Sequence, residues 1–190
     1  MAKMRSTLRT LLAVSFALWG FAVNATITRV QDLEALTRDS DVVVRGTVQS
    51  VESNWVGDGP QKSIVTRVRV QVAEKLKGET GSVAEIVQPG GVIRDSDIGQ
   101  IVHGMAEFQA GEEVVVFLKK HAPSATTFAV TGMAQGKYTV ERSSDGKDAF
   151  AVPSVIDAAL VDGDGLPVTS NAKPLELREL RQRVRAAKTQ

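Results

Sequence analysis

The sequence predicts a mainly β protein, a small antiparallel barrel or sandwich with a short helix before it and another after it. Three observations carry this. The stretch Ile64–Val72 alternates apolar and polar residues with a period of two, the pattern of a half-buried strand. Short apolar runs recur between clusters of Gly, Pro, Asp and Ser, the punctuation of strands joined by tight turns. Helical spacing of apolar residues is confined to the two ends of the domain.

The first residues are expected to lie outside that domain. Lys3, Arg5 and Arg9 precede the uncharged apolar run Leu11–Val23, and Val23 and Ala25 sit three and one residues before a cut ahead of Thr26. This is the layout of a secretory signal peptide over residues 1–25, which implies a periplasmic or extracellular protein. The run has 13 residues, against about 20 for a bilayer span, so no stable membrane span is expected in the mature form. Loss of this segment lowers the 23 Lys and Arg to 20, against 22 Asp and Glu. A net charge of −2 supplies no global field for nucleic acid. The chain has no cysteine, which excludes disulfides, thiolate nucleophiles and zinc–thiolate sites.

Beyond the cut, residues 26–152 are expected to form the β domain, 153–173 a linker and 174–188 the closing helix. Leu33 and Leu36, with Val30 one turn earlier, give a helix of two turns that Asp39, Ser40 and Asp41 end. DVVVRGTVQSV follows as a strand, with Val42, Val44, Gly46 and Val48 on one side. ESNWVGDGPQKS reads as a loop, with Trp55 alone in it, either a binding platform or a cover for the core edge. In the next strand Ile64, Thr66, Val68, Val70 and Val72 face inward, and Arg67 and Arg69 outward. Val83–Val87 is a short strand stopped by Pro89-Gly90-Gly91, and Asp95 and Asp97 sit in the polar loop after it. The run VVVFL reads as a strand buried on both faces. Of the adjacent Glu112 and Glu113 that introduce it, one is expected outward and the other on a backbone N–H or an arginine. Pro123 and Ser124 then turn the chain, TTFAVTG and GKYTVER give two more strands, and Asp145-Gly146 marks a hairpin. At the C-terminus, Leu177, Leu180 and Val184 recur at three and four, and Pro174 suits the helix start.

Few residues suggest chemistry. His103, with Glu107 four residues on and Asp95 and Asp97 before it, is a candidate mononuclear metal or hydrolytic site. HGMAE lacks the second histidine and the adjacent glutamate of HExxH. No GxSxG elbow surrounds any serine, and the glycines lack the spacing of a phosphate cradle. VDGDG lacks the full ligand series of a calcium loop. No motif calls for a cofactor. A candidate binding surface comprises Trp55, Arg67, Arg69 and Tyr138, provided that they share a face.

The runs SDVVVRGTVQSVES, TRVRVQVAEKLKG with VQPGG, VHGMAEFQAGEEVVVFL and VTGMAQGKYTV resemble a largely uncharacterised group of exported bacterial single-domain β-rich proteins. The resemblance spans roughly Asp32 to Val140 and is most specific from His103-Gly104 through Phe108 to Gly111-Glu112-Glu113. It departs at Ala106, where such runs commonly carry proline. More remotely, the layout is similar to the OB-like barrel of netrin-type modules, whose inhibitory members use disulfides and an N-terminal cysteine that this chain lacks. The resemblance brings no catalytic residues. The export signal, the β-rich pattern and the absence of a reactive motif point to an exported, non-enzymatic module that binds an envelope or extracellular protein or glycan. A metal-dependent hydrolase using His103 and an oligosaccharide- or nucleic-acid-binding barrel are the alternatives.

Overall fold

The computed structural model describes residues 26–122 and 125–188; the expected signal peptide and the Pro123-Ser124 turn lie outside them. The architecture is mainly β, with mixed sheets and two helices. In chain order the strands are β1 (Ile27–Arg29), β2 (Val42–Val56), β3 (Ser63–Lys77), β4 (Val83–Pro89), β5 (Gly91–Ile93), β6 (Ile98–Gln100), β7 (Glu113–Lys120), β8 (Thr127–Val130), β9 (Lys137–Arg142), β10 (Ala149–Pro153), β11 (Ala159–Val161), β12 (Pro167–Val168) and β13 (Leu175–Glu176). Helix α1 spans Leu33–Asp39 and α2 spans Leu177–Ala187.

β2, β3 and β4 form an antiparallel meander, and β7 lies antiparallel on the other edge of β2. β8 returns antiparallel to β7 and also pairs with β4 in parallel. The pairings therefore run in a circuit through β2, β3, β4, β8 and β7. The expectation of a wholly antiparallel sheet is corrected here for a topological reason. A circuit with an odd number of strands cannot alternate direction at every seam, so one seam must be parallel. That seam is short, Glu85 with Thr127 and Ile86 with Phe128. The second edge of β7 is divided: β9 takes Val114–Val116 and β8 takes Leu118–Lys120. From β9 the sheet continues through β10 to β13, outside the circuit.

This division explains the unbroken apolar run of β7. Val114, Val116 and Leu118 join Val42, Val44, Val68, Val70, Ala84, Ile86 and Phe128 in the core within the circuit. Val115 and Phe117 face a second core with Val43, Leu36, Tyr138, Leu177, Leu180 and Val184, beneath the two helices. Alternating side chains thus enter two separate cores, and neither face reaches water.

The helices begin and dock for local reasons. The Asp32 side chain caps α1 by accepting from the Ala35 N–H at 2.7 Å. α2 lays Leu177, Leu180 and Val184 on the sheet, and its Arg183 grips Glu34 of α1 through two bonds of 2.9 Å. Pro174 precedes β13 instead of opening the helix, because Leu175 and Glu176 first pair with Ala151 and Phe150.

Two expectations for connecting segments are corrected. Glu52–Val56 continue β2, because β3 pairs with them through to Val56 opposite Ser63. Asp95 and Asp97 do lie in a polar connection, the turn of a β5–β6 hairpin. The 153–173 stretch is no free linker: β11 and β12 form a hairpin, and β11 pairs in parallel with β1. The turn between them is tied by the Asp162 carboxylate, which accepts from the Asp164 and Leu166 N–H groups at 2.9 Å each.

Candidate functional site

A cleft of about 790 Å³ opens at one end of the strand circuit. One wall is the continuous run Val51–Trp55 of β2; the β5–β6 hairpin and the loop Ile101–Gln109 form the others. Hydroxyl pairing fixes the floor. The Thr66 hydroxyl donates to the Gly90 carbonyl at 2.6 Å, so Ser53 Oγ donates in the 2.9 Å bond to Thr66 Oγ1. Gly91 crosses directly above this pair, where a Cβ would stand 2.2 Å from Thr66 Oγ1 and 2.3 Å from Ser53 Oγ. Only glycine permits so close a crossing, and its φ of +137° also favours glycine.

The loop opposite is held from behind. Lys137 of β9 is only 5% exposed. Its ammonium donates to the Glu107 carbonyl at 2.5 Å, pairs with Glu112 at 2.9 Å and lies 5.0 Å from the Phe108 ring centroid. Glu112 also accepts from the Gln109 N–H at 2.9 Å. Glu113 pairs with Arg45 and Arg142, at 3.2 and 2.8 Å. The expectation that one of the two glutamates points outward is therefore corrected: both are partly buried, Glu112 on Lys137 and a backbone N–H and Glu113 on two arginines, because β9 and β2 bring cations to both sides of the strand. Gly104, at φ +85°, turns the loop tightly against Met133, and its carbonyl accepts from the Ala134 N–H at 2.8 Å. Sequence reasoning missed Lys137 because it shares a strand parity with Thr139 and Glu141, which reads as a solvated face.

The structure brings Trp55, Asp95 and Glu107 to this one cleft. Trp55 is 39% exposed, with the Lys62 ammonium 4.6 Å from its ring centroid. It stands on a strand, on the same side as Ser53, and not in a loop. Asp97 occupies the hairpin turn at φ +50°. His103 turns to Asp157, Nδ1 to Oδ2 at 2.7 Å, a partner 54 residues distant in sequence. Among the described residues, no three of His, Asp and Glu converge where they would hold a metal ion.

The other surface residues are separated. Arg67 and Arg69 project from the face of β3 opposite Val68, and Arg67 pairs with Glu85 at 2.7 Å. Tyr138 packs in the core under the helices, its ring 5.9 Å from that of Phe117. The phenol borders a second cleft of about 810 Å³ between α2 and the 168–176 segment. Burial raises its pKa, the nearby Arg183 opposes that, and Glu34 and Asp32 add to it. Trp55, Arg67, Arg69 and Tyr138 therefore do not form one face.

The Trp55 cleft combines apolar and acidic elements. Val92 and Ile101 on its walls are exposed, Ile101 at 83%. Asp95 and Glu107 outnumber Arg94 among its charged side chains, while Glu52, opposite Arg67, turns to the other face of β2. Such a surface suits binding through an apolar anchor and a polar rim. Among the described residues, no helix is long and apolar enough to cross a membrane. No family model matches the chain, and comparison with curated proteins finds no match.

Proposed function

We propose that this chain is an exported, non-enzymatic β-rich module on an OB-like barrel, and that its Trp55 cleft holds an envelope or extracellular partner. The observation that carries the proposal is the cleft itself: an exposed tryptophan and two exposed aliphatic residues gathered at one end of the circuit, with an acidic rim. The circuit of β2, β3, β4, β8 and β7 fits a partly open five-stranded Greek-key barrel, an architecture that binds ligands with its strand faces and loops. The layout of residues 1–25 and the resemblance to exported β-rich proteins support export.

Site-specific photo-crosslinking in the envelope fraction tests this. A photoreactive side chain at Ile101, on the cleft, is expected to give a discrete adduct that Trp55→Ala removes. The same probe at Leu166, which is exposed on the β11–β12 turn, is expected to give none. Identical adducts from both positions, or none from Ile101, count against the proposal. N-terminal sequencing of the exported protein is expected to begin at Thr26.

A further inference from the structure

Past its last pair with β7, at Thr47, β2 continues to Val56. Val48 still exchanges bonds on that edge, donating to the Glu112 carbonyl at 2.9 Å and accepting from the Gly111 N–H at 2.8 Å. Beyond Val48, no described segment pairs with this edge.

The direction of the remaining backbone groups follows from the register. The Ile64 carbonyl accepts from the Gly90 N–H at 2.8 Å, and the Ile64 N–H donates to Gln100 Oε1 at 2.7 Å. Both groups therefore point away from β2. Directly opposed residues of an antiparallel ladder either exchange both bonds or neither. Trp55, opposite Ile64, must then turn its own N–H and C=O away from β3. The same holds for Ser53 opposite Thr66 and Val51 opposite Val68. Val48, opposite Val70, provides an independent check, since its bonds to Gly111 and Glu112 lie on that outer edge. Among the described residues, the N–H and C=O groups of Val51, Ser53 and Trp55 have no partner, and they run along the cleft wall.

We infer that the cleft binds an extended polypeptide segment by strand addition to the β2 edge at Val51, Ser53 and Trp55. Donors and acceptors repeating at every second residue match the backbone of another strand. The excess of Asp95 and Glu107 over Arg94 favours a segment with a basic side chain, and Trp55, Val92 and Ile101 favour apolar neighbours to it. The inference rests on the cleft being the binding site and specifies the chemistry of its occupant.

A randomised library of octapeptides with alternating β-branched residues around a central lysine supplies the probe. Binders are expected to slow amide exchange at Val51, Ser53 and Trp55, leaving Glu52 and Asn54, which face β3, unchanged. N-methylation along one edge of a binder is expected to weaken it by at least about tenfold, and along the other edge to have little effect. Ser53→Pro, which removes an edge donor, is expected to abolish binding. Equal binding by the two N-methylated series overturns strand addition, as does absence of any binder or an occupant that proves to be a glycan. Protection that rises with protein concentration alone identifies a second copy of the chain as the occupant, and overturns the inference of a separate segment. In each of these cases the cleft proposal survives if the Ile101 adduct still depends on Trp55, so the two fail separately.

Discussion

Lys137 and Tyr138 are neighbours on β9 with opposite surroundings. Lys137 is a buried cation joined to Glu112, and removing one member of such a pair leaves the other uncompensated. Lys137→Met is expected to lower stability by about 3 kcal/mol in urea unfolding. Adding Glu112→Gln should recover part of that loss, because the orphaned carboxylate is then neutral. Tyr138 is the chain's single tyrosine, so tyrosinate absorbance reads it alone. Its folded pKa lies above the ordinary 10.0, chiefly through burial. The folded state thus holds the phenolic proton more tightly than the unfolded chain does. The resulting stability is whole below pH 10.0 and is lost as pH rises through the folded value. The absorbance midpoint is expected above 10.0 in the folded protein, and Tyr138→Phe should flatten the alkaline fall in stability. Burial of Tyr138 is partly legible in its alternation with Lys137. The burial of Lys137 is not, because an inward lysine and a solvated one look alike until the Phe108 loop is placed.

At the scale of elements, the strongest periodic signals matched the folded chain. The Ile64–Val70 alternation lies on β3 with the expected faces, and Leu177, Leu180 and Val184 bury the expected stripe of α2. Leu180 is fully buried under the sheet, and Leu180→Ala is expected to cost about 3 kcal/mol. Arg181, whose guanidinium bonds Glu74 at 2.9 and 2.6 Å, tethers the same helix to β3. Glu74 keeps Arg185 at 3.2 Å and Arg45 at 3.9 Å when Arg181 is replaced, so Arg181→Ala is expected to have a smaller effect, and chemical denaturation of the two single variants should separate packing from pairing. The missed elements are short or polar. Glu52–Val56 have the composition of a loop, yet they form a strand because β3 supplies a partner for each residue. β5 and β6 hold three residues each, too few for periodicity to declare itself.

For the whole molecule, the decisive feature is that two cores share one sheet. β7 and the first residues of β2 contribute to both, and the segment after β10 closes the structure by pairing β11 with β1. Replacing residues 159–168 with a Gly/Ser chain of equal length is expected to deprotect Ile27–Arg29 in hydrogen exchange and lower the melting temperature. A mere linker would leave both unchanged. The same long-range closure decides the candidate site: Trp55, Asp95 and Glu107 meet only because the β5–β6 hairpin crosses β2 and β3. It also sends His103 to Asp157, a partner that no local spacing suggests. By itself the sequence determined the β class, the two helices and the doubly buried β7, because these follow from local periodicity and side-chain burial. The tertiary structure alone decided the parallel seam, the burial of Lys137, the cleft and its open β2 edge. Those depend on which distant strands meet and in what register, and chain topology fixes that only when the whole molecule closes.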